Sequence, residues 1–103
     1  MKTNALKFTD FRRAKKMKIE NMTSSNGNKI ANQFIYRDGE KTVFQSYSSV
    51  IAIRYSDGRI ELDADKWDYS TTTGKYRNQF LGETKKETEA KIKSGEYKLK
   101  NLN

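Results

Sequence analysis

The sequence predicts an α+β domain: an antiparallel β-meander of two hairpins, about four strands, followed by two short helices. Three observations carry the prediction. Two Asp-Gly steps, Asp38-Gly39 and Asp57-Gly58, each divide a pair of runs rich in β-branched and aromatic residues. Downstream, two segments have polar capping residues in front and a glycine behind. At 103 residues the chain has the length of one domain, divided into a basic N-terminal arm and linker over 1–26 and a single small domain over 27–103.

In chain order, the arm opens with Thr9 as an N-cap before Asp10, Phe11, Arg12, Arg13, Ala14, Lys15, Lys16, Met17 and Lys18. An acid in the first turn and bases behind it suit a helix dipole, so a short helix is expected here. Its thin apolar stripe is Phe8, Phe11 and Ala14. Residues 21–28 (NMTSSNGN) form a polar turn-forming cluster and read as the linker. In the first hairpin, a two-residue loop opposes Phe34 to Val43, whereas a three-residue loop opposes Phe34 to Phe44. Both registers stay open, and 46–49 then breaks the run. In the second, a two-residue turn opposes Tyr55 to Ile60, Ile53 to Leu62 and Ile51 to Ala64. The other face then pairs Arg54 with Glu61.

After Trp67, Asp68 and Tyr69, the oxygens of Ser70 and Thr71 to Thr73 precede a helix containing Tyr76 and Phe80, which Gly82 closes. Trp67 and Tyr69 are expected to pack into this strand-to-helix corner. Thr84-Lys85-Lys86-Glu87 is a capping-box pattern that starts a second, mostly solvated helix. Glu87 to Lys91 and Glu89 to Lys93 are well-oriented ion pairs on it, and Gly95 closes it. Tyr97, Leu99 and Leu102 can lay a last short strand or extended tail on the core.

Composition limits the chemistry. Histidine, cysteine and proline are absent. No imidazole can act as a base, no thiolate as a nucleophile, and the usual zinc ligands are missing. The carboxylates Glu61, Asp63, Asp65 and Asp68 are the group that could hold Mg²⁺, but they fall on the expected solvent face, where acids are ordinary. No catalytic residue, metal or cofactor is therefore assigned, and the chain is read as a non-enzyme. Absence of cysteine suits a reducing cytoplasm. No signal-peptide pattern and no apolar run of the roughly 18 residues needed for a span is present, so no membrane partner is expected.

The net charge of +8 is segregated. Residues 1–20 hold seven basic and two acidic side chains, residues 21–74 six and seven, and residues 75–103 eight and four. Arg12, Arg13, Lys15, Lys16 and Lys18, continued by Lys75, Arg77, Lys85 and Lys86, are the candidate phosphate contacts. The helix start after Ser70 adds hydroxyls and free backbone N–H groups, a natural phosphate seat. Tyr36, Tyr47 or Tyr69 could stack on bases of a single strand. Nucleic acid is the expected partner, with a monomer or homodimer as the expected state.

The segments NKIANQF (28–34), FQSYSSVIA (44–52) and WDYSTTTGKYRNQFL (67–81), together about half of the chain, resemble a family of small proteins encoded by phages, prophages and other mobile elements. That family is similar to a domain of unknown function. The resemblance implies a genomic setting, with the host bacterial cytoplasm as location, and brings no catalytic residue. It also implies a second expectation, an inhibitor of a host protein that acts by direct binding.

Overall fold

A computed structural model describes residues 19–24 and 26–103. The expected helix over 9–18, with Arg12, Arg13, Lys15, Lys16 and Lys18, lies outside the described residues. The described chain runs β1 (Ile19–Thr23), β2 (Lys29–Asp38), β3 (Lys41–Ser46), β4 (Ser49–Tyr55), β5 (Ile60–Asp63), α1 (Thr71–Leu81), α2 (Lys85–Ser94) and β6 (Tyr97–Lys100). The class is α+β, as expected, but six strands form one sheet in the order β1-β2-β3-β4-β5-β6. The first five are antiparallel neighbours, and β6 pairs parallel to β5. A parallel neighbour needs a crossover, and α1 and α2 supply it across one face of the sheet.

One extra strand and one extra hairpin turn come from segments read as something else, while β6 is the last short strand expected over Tyr97 and Leu99. Residues 19–23, placed in the arm and linker, form an edge strand whose Met22 is buried in the core. Residues 46–49, read as a break, are a tight turn in which Ser46 faces Ser49, so β3 and β4 are also a hairpin. Tyr47 takes the left-handed conformation there (φ 54°), which costs a bulky residue about 1–3 kcal/mol. Its N–H donates to the Asn32 carbonyl at 2.7 Å, and Gln45 Nε2 donates to its carbonyl at 2.8 Å. Two fixed hydrogen bonds hold the strained residue in place.

Both expected hairpin registers are corrected. In the first, Asp38 faces Lys41 and Phe34 faces Gln45, so the loop is Gly39-Glu40. Gly39 has φ 66° and Glu40 does not share it, the order of a type II′ turn with glycine in the first central position. In the second, Ala52 faces Leu62, Ile53 faces Glu61 and Arg54 faces Ile60. The Tyr55 carbonyl accepts from Gly58 N–H, and Tyr55 N–H donates to Arg59, so the loop has three residues and Gly58 (φ 96°) closes it as a bulge. A type I′ turn would need positive φ at Asp57 as well. Side-chain pattern could not choose between the registers because Ile51, Ala52 and Ile53 are all buried. A further bulge at Ile51, between the Phe44–Ala52 and Gln45–Val50 pairs, turns both Ile51 and Ala52 into the same core.

That core gathers Met22, Phe44, Ile51, Ala52, Leu62, Phe80 and Tyr97. The Phe44 and Phe80 rings stack with centroids 5.7 Å apart and tie β3 to α1. Arg54 faces α1 as well, where it donates to the Phe80 carbonyl and lies over its ring at 4.4 Å. Glu61 is on the opposite face, bonded to Tyr55 Oη at 2.7 Å and paired with Lys100 at 3.4 Å. Among the described residues, no helix is long and apolar enough to cross a membrane.

Gln33, fully buried opposite Ser46, has no hydrogen-bond partner for either amide atom among the described residues. An unsatisfied buried polar group costs roughly 1–3 kcal/mol. Gln33→Met, of similar shape, is therefore expected to raise stability by about 1–2 kcal/mol. A shift of the urea midpoint at unchanged slope checks it.

Candidate nucleic-acid interface

Helix α1 starts where the sequence supplies its cap. Ser70 Oγ accepts from Thr73 N–H at 3.1 Å, and Gly74 N–H makes the first helical bond to the Ser70 carbonyl. The N–H groups of Thr71 and Thr72 are left without helical partners. Thr73, fully buried, bonds Ser46 Oγ at 2.9 Å and so fastens the first turn to the end of β3. The turn opens on a groove of about 780 Å³ lined by Asp68, Ser70, Thr71, Gly74, Lys75, Arg77, Asn78 and Lys85.

Three expected phosphate contacts meet there in different states. Arg77 is not a surface residue: its side chain is 1% exposed. It donates to the Trp67 carbonyl (2.8 Å), Asp68 (2.9 Å) and Asn78 Oδ1 (2.8 Å), and lies 5.0 Å from the Trp67 ring centroid. Nε has no partner. Burial demands this density of acceptors, because an unpaired guanidinium could not leave water. Lys85, half exposed, pairs with the other Asp68 oxygen at 2.7 Å. Lys75 is exposed, with its ammonium 5.4 Å from the Tyr76 ring. Lys86 is exposed on α2 but does not line the groove.

Sequence reading named Asp68 only as a possible Mg²⁺ ligand and missed its pairing with Arg77 and Lys85. Burial pushes its carboxyl up, yet the hydrogen bonds and charges of Lys85 and Arg77 outweigh that and hold it below its ordinary 3.8. Its bond in turn raises Lys85 above the ordinary lysine value. Gly74 gave the available signal, as a glycine inside a helix where alanine would be about 1 kcal/mol better. A Cβ at 74 would stand 3.4 Å from Asp68 Oδ1 and 3.6 Å from Arg77 Nη2. Three cations against one carboxylate leave the groove cationic, with N–H donors at its edge.

The acidic run is used internally. Asp63, buried, accepts from the N–H groups of Asp65, Lys66 and Leu102. The expected solvent face for Glu61 and Asp63 is therefore corrected; the register places them beside β6. Among the described residues, no three carboxylates converge as a metal site. Trp67 packs against the core, whereas Tyr69 is 45% exposed and not packed into the corner.

The second helix has the expected capping box between Thr84 and Glu87. Glu87 is thereby committed, and Lys91 pairs instead with Glu83 at 2.8 Å. Glu83 also accepts from Tyr97 Oη at 2.9 Å and from Thr88 Oγ1, joining α2 and β6 to the interhelical turn. Burial pushes this carboxyl up, but the bonds from Lys91, Thr88 and Tyr97 prevail and hold it below 4.5.

Residues 17–96 match the DUF8033 family, described as a family of unknown function. No curated protein and no solved structure matches the chain.

Arg77→Ala is expected to destabilise the fold by roughly 3–5 kcal/mol, the cost of leaving a buried partner unpaired. Lys85→Ala should cost no more than about 1 kcal/mol, as for exposed pairs. Urea denaturation of both variants measures the contrast. Because Glu83 and Asp68 have folded values below their unfolded ones, their stabilisation is complete above about pH 5 and is lost as pH falls through the folded values. Glu83→Gln should flatten that acid limb in denaturation midpoints followed from about pH 6 to pH 3.

Proposed function

The chain belongs to the DUF8033 family, and we propose that it is a non-enzymatic accessory protein of a phage or other mobile element that binds nucleic acid. One observation carries the reading: the first turn of α1 opens on a groove lined by Lys75 and Lys85 together with Ser70 and Thr71. A phosphate there would meet two ammonium groups, free N–H donors and the positive end of an 11-residue helix. Lys86 extends the same charge along α2, and the basic side chains of 1–18 add the larger share of the net charge. Arg77 serves this reading as a positioning residue, since its guanidinium holds Asp68, and Asp68 holds Lys85.

Binding is expected to be of the backbone type, set by charge more than by base sequence. The second reading is the inhibitor of a host protein. It draws on the edge strand β1, where Ile19 is 62% exposed and, among the described residues, no strand pairs with the outer edge. A phosphate-mimicking acidic patch lends it no support, because Glu61, Asp63 and Asp68 are occupied by internal partners.

Affinity for labelled DNA or RNA should fall steeply from low to physiological salt. Lys75→Gln/Lys85→Gln/Lys86→Gln should keep the fold, lose about tenfold or more in affinity and flatten the salt slope by up to about three contacts. Fluorescence anisotropy across a salt series reads both quantities, and failure of the chain to bind any nucleic acid at low salt would reject the proposal. A stoichiometric protein captured from nuclease-treated host lysate would favour the second reading.

A further inference from the structure

We infer that a separate cleft, at the tips of the β2–β3 and β4–β5 hairpins, takes one phosphodiester of the bound nucleic acid between Arg37 and Arg54. The inference rests on the nucleic-acid reading above and adds a phosphate contact in the nearly neutral middle of the chain.

The cleft has a volume of about 440 Å³, and its lining includes Arg37, Thr42 and Arg54 with Gly39, Glu40 and Gly58. Register sets the first three side by side: Arg37 faces Thr42, and Thr42 faces Arg54, on the side of the sheet that carries α1. Neighbouring strands lie about 4.8 Å apart, so the two arginine backbones are separated by roughly 10 Å with a hydroxyl between them. Across that span two guanidinium groups can close on one phosphate from opposite sides. Ser56 N–H donates to the Glu40 carbonyl at 2.9 Å and ties the two hairpin tips together. Gly39 and Gly58 bring no side chain into the space, and a Cβ at either would meet nothing within 4 Å.

The two arginines differ in readiness. Arg54 is already held, since it donates to the Phe80 carbonyl and lies 4.4 Å from that ring. Arg37 is exposed and, among the described residues, has no hydrogen bond, ion pair or ring contact. Its whole planar fork of donors is therefore free for an oxyanion, the ligand that a guanidinium fits best. Charge then selects among oxyanions. The cleft holds two guanidinium groups and one carboxylate, Glu40, which accepts from Ser56 Oγ at 3.4 Å. The net of one positive charge is what a single phosphodiester neutralises. A phosphomonoester would bring roughly 1.5–2 negative charges and leave an excess beside Glu40.

The experiment follows a labelled DNA oligomer by anisotropy across a salt series, with the whole chain and with its Arg37→Gln and Lys29→Gln variants. Lys29 is exposed at the other end of β2, so its variant removes the same charge without touching the cleft. Arg37→Gln is expected to lose about fivefold or more in affinity at low salt and about one contact from the salt slope. Lys29→Gln should lose less than about twofold and keep the slope. Arg37 has no partner to lose, and equal urea midpoints for the chain and both variants keep a folding defect from imitating the result. Equal losses in the two variants, or an unaltered Arg37→Gln, would overturn this inference and leave nucleic-acid binding standing. So would a phosphoserine peptide that displaces the oligomer at lower concentration than unlabelled DNA does. No binding of the oligomer to the unaltered chain at low salt would reject both.

Discussion

A single buried guanidinium organises the end of the molecule that carries the groove. Once Arg77 leaves water, its donors must meet acceptors at close range. They do so at the Trp67 carbonyl, Asp68 and Asn78, with the Trp67 ring alongside. The chain between β5 and α1 is therefore held, and so is the direction in which Asp68 presents its second oxygen. Lys85 takes that oxygen, which draws the start of α2 to the start of α1. The close approach at Gly74 belongs to the same arrangement. Cationic character at the groove thus follows from a structural requirement of the corner.

The other end of the crossover has a comparable device in Glu83, which receives Lys91, Thr88 and Tyr97. A third is Asp63, whose oxygens stop β5 by accepting N–H groups of the following turn and of Leu102 beyond β6. Three carboxylates therefore hold the two helices and the parallel strand to the antiparallel meander. Asp63 and Asp68 come from the seven acids of residues 21–74, and Glu83 from the basic C-terminal part. Residues 1–18 contain seven basic side chains and one acidic, so +6 of the total +8 lies there and +2 in residues 19–103. Within the folded part, Lys75, Arg77 and Lys85 line one groove together with a single carboxylate, Asp68.

The helices were legible in the sequence nearly residue by residue. Ser70, Gly82, Thr84, Glu87 and Gly95 all act within three or four residues, through hydrogen bonds that need no tertiary partner. The hairpins were legible as turns but not as registers. Asp-Gly marks a reversal, while the loop length depends on which residues take positive φ, and Gly39 and Gly58 solve that differently. The usual arbiter, alternation of apolar and polar side chains, failed on β4 because it is buried on both faces. At the groove, the Ser70 cap that starts α1 and the exposure of Lys75 and Lys85 were legible; the burial of Arg77 and the role of Asp68 were not.

The sequence by itself determined the absence of imidazole and thiolate chemistry, the α+β class, the two capped helices and the segregation of charge. Each depends on residue identity or on contacts between near neighbours. Tertiary structure alone decided the inclusion of Ile19–Thr23 in the sheet, the parallel docking of β6, both hairpin registers and the division of the basic residues into one buried and several exposed. The strand pairings are settled by contacts between residues far apart in the chain, and the burial of Arg77 by desolvation, since a charge leaves water at tolerable cost only where acceptors surround it. Arg77 reads as a surface cation in the sequence and becomes a structural one because Trp67, Asp68 and Asn78 surround it.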